Sequence, residues 1–292
     1  MDTQRHKCVL CKNIQVHNFN RMGYEYWKCN ECGLMSTYPF PKPNEIESHY
    51  KRKFEEGNYQ LIQKFMKSYL NVYFGFYNLI KKCLKRKNQN IINKKVLDIG
   101  CFTGDFLKIL KDQGADVYGL ELQDEAVQIA NESLNGRVFK ADLLKNDFPQ
   151  IEYDIITMLG LIEHVIDPLE LINRAVSLLS KDGIIMIQTP NSSSLLANVL
   201  GKHWPPYAPI EHIHLFSKKS IKNVLQQNGF KKIEFFPHIK YLPVEYVFQN
   251  LKNFGPEYYQ LFNGFYKIVP SIIKKMKLPF YIGEFIVIAS RN

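Results

Sequence analysis

Thiols, carboxylates and imidazoles at four places along the chain have the types and spacing to do chemistry. Cys8 and Cys11 form one C-x2-C pair, and Cys29 and Cys32 form a second after seventeen intervening residues. Each pair presents two thiolates from a tight knuckle, and two knuckles complete the tetrahedral sulfur set that suits Zn²⁺. Four protein ligands leave no position for a reactive water, so the metal would be structural, stapling a segment too small to fold on its own core. Asp98 lies in a second group, the run VLDIGCFTGDFL from Val96 to Leu107. Gly100 and Gly104 let a ligand approach the outward-pointing N–H groups of that turn. A carboxylate there repels phosphate and favours a cationic or hydroxyl-rich ligand. The run has no P-loop lysine and does not meet the G-x-G-x-x-G spacing, which sets nucleoside triphosphates and dinucleotides aside. Glu121 follows about twenty residues on, where a carboxylate can accept from both ribose hydroxyls. Asp142 ends the third predicted strand, as a ligand contact or as an ordinary helix-capping acid. The fourth group is imidazole-rich: His164, then Glu211, His212 and His214. A neutral imidazole near pH 7 can take a proton from a hydroxyl or a carbon acid. His212 and His214 are two apart, so on an extended chain both face the same way.

The surrounding pattern supplies elements to hold these groups. Apolar runs and turn signals predict strands at 95–99, 116–121, 136–140, 153–158, 183–189, 231–236 and 284–289. Helices are predicted at 104–113, 124–132, 168–180 and 217–228, with Asp167-Pro168 and Ser217 as starts. Alternation of this kind argues for a parallel sheet covered on both faces. Residues 45–93 read as helix with a wide aromatic stripe, suited to packing on another domain or covering a pocket. About fifty aromatic-rich residues before the last strand predict an inserted helical cap, able to close a cleft or touch a membrane surface. Cys101 sits where the glycine turn needs a small side chain, so it reads as space rather than reactivity.

The chain has 292 residues, 46% of them hydrophobic, which suits one large domain with an appendage. Its polar, cysteine-bearing start does not read as a cleavable signal. Its apolar runs fall short of the ~18–20 residues that span a bilayer. A cytoplasmic, soluble protein is expected. The net charge of +10 comes partly from lysines between Lys81 and Lys95 and around Lys274, Lys275 and Lys277. These read first as solvated surface, and second as a contact for RNA, an acidic membrane or a phosphorylated substrate.

VLDIGCFTGDFL, Glu121 and Asp142 resemble the cofactor motifs of class I S-adenosylmethionine-dependent methyltransferases. Glu163-His164-Val165 with Asp167-Pro168, and Thr189-Pro190-Asn191 followed by Glu211-His212 and Phe216-Ser217, match further landmarks of that family. The cysteine pairs with their proline-rich tail resemble the zinc-binding extension of bacterial methyltransferases from sugar and polysaccharide pathways. The resemblance implies a Rossmann-like α/β fold with a seven-stranded sheet, a small zinc-ribbon-like module over residues 1–43, and a helical linker or lid over 44–93. The methyltransferase domain would occupy 94–292, with its cap near 238–282. It implies cofactor contacts from Asp98, Gly100, Cys101, Gly104, Glu121, Leu122, Asp142 and Leu143, and catalytic roles for His212 as general base, Glu211 and His164. The acceptor implied is a small molecule or glycan precursor.

Three positions depart from the family pattern. Gly160 stands where many relatives carry an acid or amide, and Phe102 where a second glycine is frequent. Pro209 replaces the tyrosine that C-methylating relatives place three residues before the histidine, with Tyr207 the nearest substitute. O-methylation is therefore expected over C-methylation. The rivals are an RNA methyltransferase gripping phosphates through the basic stretches, and a non-catalytic subunit that binds S-adenosylmethionine.

Overall fold

The computed structural model describes residues 6–42, 44–46, 48–49, 52, 64–145, 148–254 and 256–291. Its centre is a seven-stranded sheet in the order β10-β13-β8-β7-β4-β5-β6. The parallel strands are β4 (Lys95–Ile99), β5 (Asp116–Glu121), β6 (Val138–Lys140), β7 (Tyr153–Leu159) and β8 (Leu179–Pro190). β13 (Glu284–Ser290) runs antiparallel to β8, and β10 (Lys232–Pro237) runs antiparallel to β13. The C-terminal ends of the parallel strands share one edge. Antiparallel β13 brings its first residue, Glu284, to that same edge opposite Pro190.

Both faces are buried, which is why the strands read as continuous apolar runs. Val96, Ile155, Ile184 and Ile286 face one layer, and their neighbours Leu97, Ile156, Ile185 and Val287 face the other. The first layer holds α1 (Met66–Arg86), α2 (Asp105–Asp112) and α3 (Asp124–Leu134). Its contact with α1 runs through Val72, Phe76, Ile80 and Leu84, one residue per helical turn. The second layer holds α4 (Pro168–Ser177) and α6 (Lys218–Gln227). Both begin at the expected caps: Asp167 accepts from the Glu170 N–H at 2.9 Å, and Ser217 forms a capping box with Ser220. Of the helix expected over 45–93, residues 53–63 lie outside the described residues.

The N-terminal residues form a separate antiparallel sheet of β1 (Gln15–Arg21), β2 (Tyr24–Cys29) and β3 (Met35–Tyr38). Its fourth strand is β9 (His214–Leu215), contributed by the loop between β8 and α6. That pairing was not foreseen. A two-residue strand has no periodicity to read, and its partner lies 178 residues away at the Ser36–His214 contact. A shorter-range difference is that α4 ends at Ser177 and β8 starts at Leu179, ahead of the expected 183. The Leu178 carbonyl accepts from the Tyr153 N–H at 2.9 Å and draws the chain into the sheet early.

The expected cap contains α7 (Val244–Phe254), α8 (Pro256–Ile268) and α9 (Ser271–Lys275). A two-stranded ribbon, β11 (Lys240–Pro243) with β12 (Lys277–Phe280), closes it at the base. Between β8 and β9 stands a short helix, α5 (Leu195–Leu200).

Candidate active site

The turn after β4 forms one half of the candidate site. Gly104 adopts φ +70°, and a Cβ there would lie 2.6 Å from the Leu134 side chain, so both backbone shape and the approach of α3 call for glycine. Asp98 is buried, and the Thr157 hydroxyl donates to it at 2.5 Å. Burial pushes its carboxyl up to about 7, and the charge of Glu121 adds to the shift while Thr157 opposes it. Glu121 is an acceptor hub: Oε1 takes the N–H groups of Leu122 and Gln123 at 2.7 and 3.0 Å, and Oε2 takes that of Phe102 at 3.0 Å. Phe102 itself has φ +49°. The residue that breaks the glycine pattern thus turns its amide onto the acid of the neighbouring strand. Cys101 is buried with its thiol pushed up by burial, consistent with a space-filling role. At the end of β6, Asp142 accepts from the Leu144 N–H at 3.0 Å, and Leu143 is buried beside it. Leu122 is 64% exposed.

The other half gathers the histidines. His212 Nδ1 donates to the Pro206 carbonyl at 2.6 Å, and His164 Nδ1 donates to the Glu211 carbonyl at 2.7 Å. In the neutral tautomer each bond puts the ring lone pair on Nε2. The two rings meet edge to face with centroids 4.9 Å apart. Glu163 joins them, so that one ligand atom from each of Glu163, His164 and His212 lies within 4.8 Å of the others. Its carboxyl is pushed up to about 8 by burial, opposed by its own backbone N–H and by the Thr189 hydroxyl, which donates at 2.9 Å. A Cβ on Gly160 would point between Gln188 and Glu163, at 3.6 and 3.9 Å from their side-chain oxygens. The glycine leaves room between these two side chains.

The structure separates His212 from His214. His214 is fully buried and uses both nitrogens: Ser36 donates to Nδ1 at 2.9 Å, and Nε2 donates to the Ile166 carbonyl at 3.1 Å. Burial holds its pKa down to about 4. It is a neutral tie between the N-terminal sheet and the loop after β7. Glu211 directs its carboxylate to His49, 3.1 Å away, rather than into the histidine pair. Tyr207 is buried against Phe19, Tyr26 and Trp204, with its hydroxyl pushed up to about 12 by burial. It packs under the N-terminal sheet instead of replacing a catalytic tyrosine.

The cysteines converge as their spacing implies. Sγ atoms of Cys8 and Cys32 are 3.5 Å apart, those of Cys11 and Cys29 are 3.4 Å apart, and all four lie within 4.8 Å of one another. A tetrahedral zinc with bonds of about 2.3 Å needs sulfurs about 3.8 Å apart. Each knuckle closes alike, with the Lys12 N–H bonded to the Cys8 carbonyl and the Gly33 N–H to that of Cys29. The donor set fits Zn²⁺. The module is tied to the histidine loop by the Ser217 hydroxyl, which donates to the Cys32 carbonyl at 3.0 Å, and by the Thr37 N–H, which donates to Ile213.

Tyrosines complete the edge, and sequence reasoning did not single them out. Tyr69 and Tyr73 sit at the start of α1, and the Tyr69 hydroxyl bonds that of Tyr246 on α7. Tyr73 lies against Phe106 of α2 with ring centroids 6.0 Å apart, and burial pushes its hydroxyl up, with the charges of Asp105 and Asp98 adding to the shift. Glu284, also unassigned from sequence, is gripped by His238 and Lys240, each at 2.8 Å. Burial works against its charge, but the Lys240 ammonium and the hydrogen bond from His238 hold its carboxyl down to about 2. Helical spacing had marked the tyrosines only as a stripe; their hydroxyls gain meaning from α7, far away in sequence.

A methyltransferase-domain family model matches residues 66–234, more than half of the chain. The chain belongs to that family. Among curated proteins it resembles the ubiquinone biosynthesis O-methyltransferase of Actinobacillus pleuropneumoniae, at 30% identity over 118 residues, covering 37% of this chain and 50% of that protein. The enzyme of the same name from Psychrobacter cryohalolentis is 25% identical over 205 residues, 65% of this chain and 69% of that protein. The chain thus spans about half the length of the first of these relatives. A Thermotoga maritima structure described as an S-adenosylmethionine-dependent methyltransferase, possibly a histamine N-methyltransferase, aligns with TM-score 0.53 at 17% identity, over 85% of this chain and 99% of that one. Magnesium protoporphyrin IX methyltransferase from Synechocystis aligns with TM-score 0.53 at 15% identity, over 84% and 100%. These two show the shared fold.

Proposed function

We propose that the protein transfers a methyl group from S-adenosylmethionine to a hydroxyl of a small acceptor, with His212 as the general base. The observation that carries this reading is the bond from His212 Nδ1 to Pro206. It fixes the tautomer with its lone pair on Nε2, beside His164 and Glu163 at the catalytic edge. Asp98, Gly100, Cys101, Gly104, Glu121, Leu122, Asp142 and Leu143 would hold the cofactor. When bound, S-adenosylmethionine supplies an electrophilic methyl on a good leaving group, so the protein's work is positioning and proton removal. Glu121 offers two oxygens to paired hydroxyls. His212 accepts the acceptor's proton, and His164, held by the Glu211 carbonyl, fixes the ring beside it. Tyr69, Tyr73 and Tyr246 wall the edge and exclude water.

The relatives named as O-methyltransferases support oxygen over carbon as the nucleophile, and so does the packing role of Tyr207. A sugar of a glycan pathway is the acceptor favoured by the resemblance of the cysteine module. Several basic residues have protein partners: Arg86 pairs with Glu234, Lys94 with Asp154, and Lys87 donates to the Asp182 carbonyl. That use weighs against an RNA grip at this end of α1.

His212→Ala tests the reading. Its affinity for S-adenosylmethionine should stay within about twofold by calorimetry, while methyl transfer to a panel of nucleotide sugars falls by roughly 10²–10⁴-fold. Unchanged turnover would remove His212 as the base, and transfer to bulk RNA alone would replace the acceptor class. The same three side chains could instead hold a divalent cation that polarises the acceptor oxygen. Turnover that rises with added Mn²⁺ or Zn²⁺ and disappears in Glu163→Gln would favour that second reading.

A further inference from the structure

The outer face of the cap carries an unusual combination of exposure and charge. Along α8, Leu261, Phe265 and Ile268 follow at i, i+4 and i+7, so they share one face. They are 72%, 69% and 76% exposed, and Ile272 of α9 continues the stripe at 73%. The opposite side of α8 is already used: Tyr266 stacks on Phe248 of α7 with centroids 3.8 Å apart, and Tyr259 lies 4.9 Å from the same ring. The stripe therefore lacks a core to face. Large aliphatic and aromatic side chains concentrated in this way mark a contact surface.

Charge decides which contact. From Tyr258 to Gly283 the chain contains Lys267, Lys274, Lys275 and Lys277 and no Asp or Glu. Lys267, Lys275 and Lys277 are exposed, and Lys274 lies over the Tyr266 ring at 4.6 Å. A second copy of the chain seated on this face by two-fold symmetry would set four lysines against four, with Glu257 the single acid of α8 and α9 to answer them. An apolar stripe in a segment with four lysines and one acid matches instead the anionic headgroup boundary of a lipid bilayer. No described helix is long and apolar enough to cross a membrane, so the segment would lie in the interface.

We propose that α8 and α9 dock the protein on anionic lipid surfaces, with Leu261, Phe265, Ile268 and Ile272 entering the headgroup boundary and the exposed Lys267, Lys275 and Lys277 holding the phosphates. α8 stacks on α7, which carries Tyr246, so docking would bring the histidine edge close to the lipid surface.

Co-sedimentation of the full chain with vesicles tests this. One set is pure phosphatidylcholine, and the other contains about one third phosphatidylglycerol. The wild type should bind the anionic vesicles at least tenfold more strongly, and high salt should weaken that binding. Each lysine contributes about fivefold to the partition coefficient, so reversing Lys267, Lys275 and Lys277 to Glu should lower it on the order of 100-fold or more. Replacing Leu261, Phe265 and Ile268 with Gln should lower it at least tenfold while the melting temperature holds, since all three are exposed. Equal binding to both vesicle types, or none, overturns the proposal. So does a concentration-dependent dimer that the Gln variant abolishes, which would make a second copy the occupant.

Discussion

The two halves of the candidate site are built in opposite ways. The half proposed for the cofactor is local: Asp98, Gly100, Phe102 and Gly104 belong to one strand–turn–helix, and Glu121 ends the strand beside it. Around Glu121 its hydrogen bonds close over nineteen residues or fewer, while Asp98 reaches 59 residues to Thr157 on the adjoining strand β7. The histidine half is assembled from afar. His164 leans on Glu211 from 47 residues away, His214 on Ser36 from 178, and Tyr69 on Tyr246 from 177. Damage to the first half should therefore stay with cofactor binding. Damage anywhere along the supports of the second should reach acceptor chemistry.

The sharpest way to break this contrast is to attack the cysteine module. Cys29→Ser, or removal by a strong chelator of any zinc the cysteines hold, should lower acceptor turnover by more than about 100-fold by unhooking β9 and the loop that carries His212. Affinity for S-adenosylmethionine should move less than about threefold, and amide exchange should speed up at residues 213–217. An equal collapse of cofactor affinity would mean that the two halves are one unit.

Glu121→Ala probes the contrast from the other side, with a smaller effect. Loss of charge-assisted bonds at about 1.5–3 kcal/mol each should weaken cofactor binding roughly 10–100-fold. The N–H groups of Phe102, Leu122 and Gln123 also lose their acceptor, so the melting temperature should fall. With saturating cofactor the turnover number should largely recover. Failure to recover would tie Glu121 to the acceptor side.

A milder, graded effect comes from Asp98. Its folded pKa, about 7, lies above that of an unfolded aspartate, so between pH 4 and 7 the folded state binds the extra proton. This group's contribution to stability therefore falls as pH rises through that window. A cationic cofactor favours the carboxylate form, so its binding should release a proton. Affinity should increase roughly tenfold from pH 6 to pH 8 and then level off. Asp98→Asn should flatten the profile, and a slope that survives in this variant would place the titrating group elsewhere.

The same contrast explains what could be read from the sequence. Strands 95–99 and 116–121, the glycine turn and Glu121 were legible because their partners are close in sequence and their period is regular. The four cysteines were legible because metal geometry fixes their spacing. β9 was not, since two residues carry no pattern. The split between His212 and His214 was invisible for a related reason: alternation placed both on one side, but only the presence of Ser36 and Ile166 turns His214 into a buried tie. Tyr69 and Tyr246 could be seen as apolar stripe members, whereas their hydroxyl pairing depends on how the cap folds back over α1.

The strand pairing between β3 and β9 also sets an order of events during synthesis. The cysteine module leaves the ribosome complete, but its fourth strand follows 178 residues later. At about 5–20 residues per second the wait is roughly 10–35 s. During that interval β3 presents an unpaired edge, the kind of surface that invites pairing with other chains. A metal captured by the cysteines at this stage would hold the nascent module in register until His214 arrives. With zinc as that metal, cells short of it should lose this protein to aggregation while it is being made.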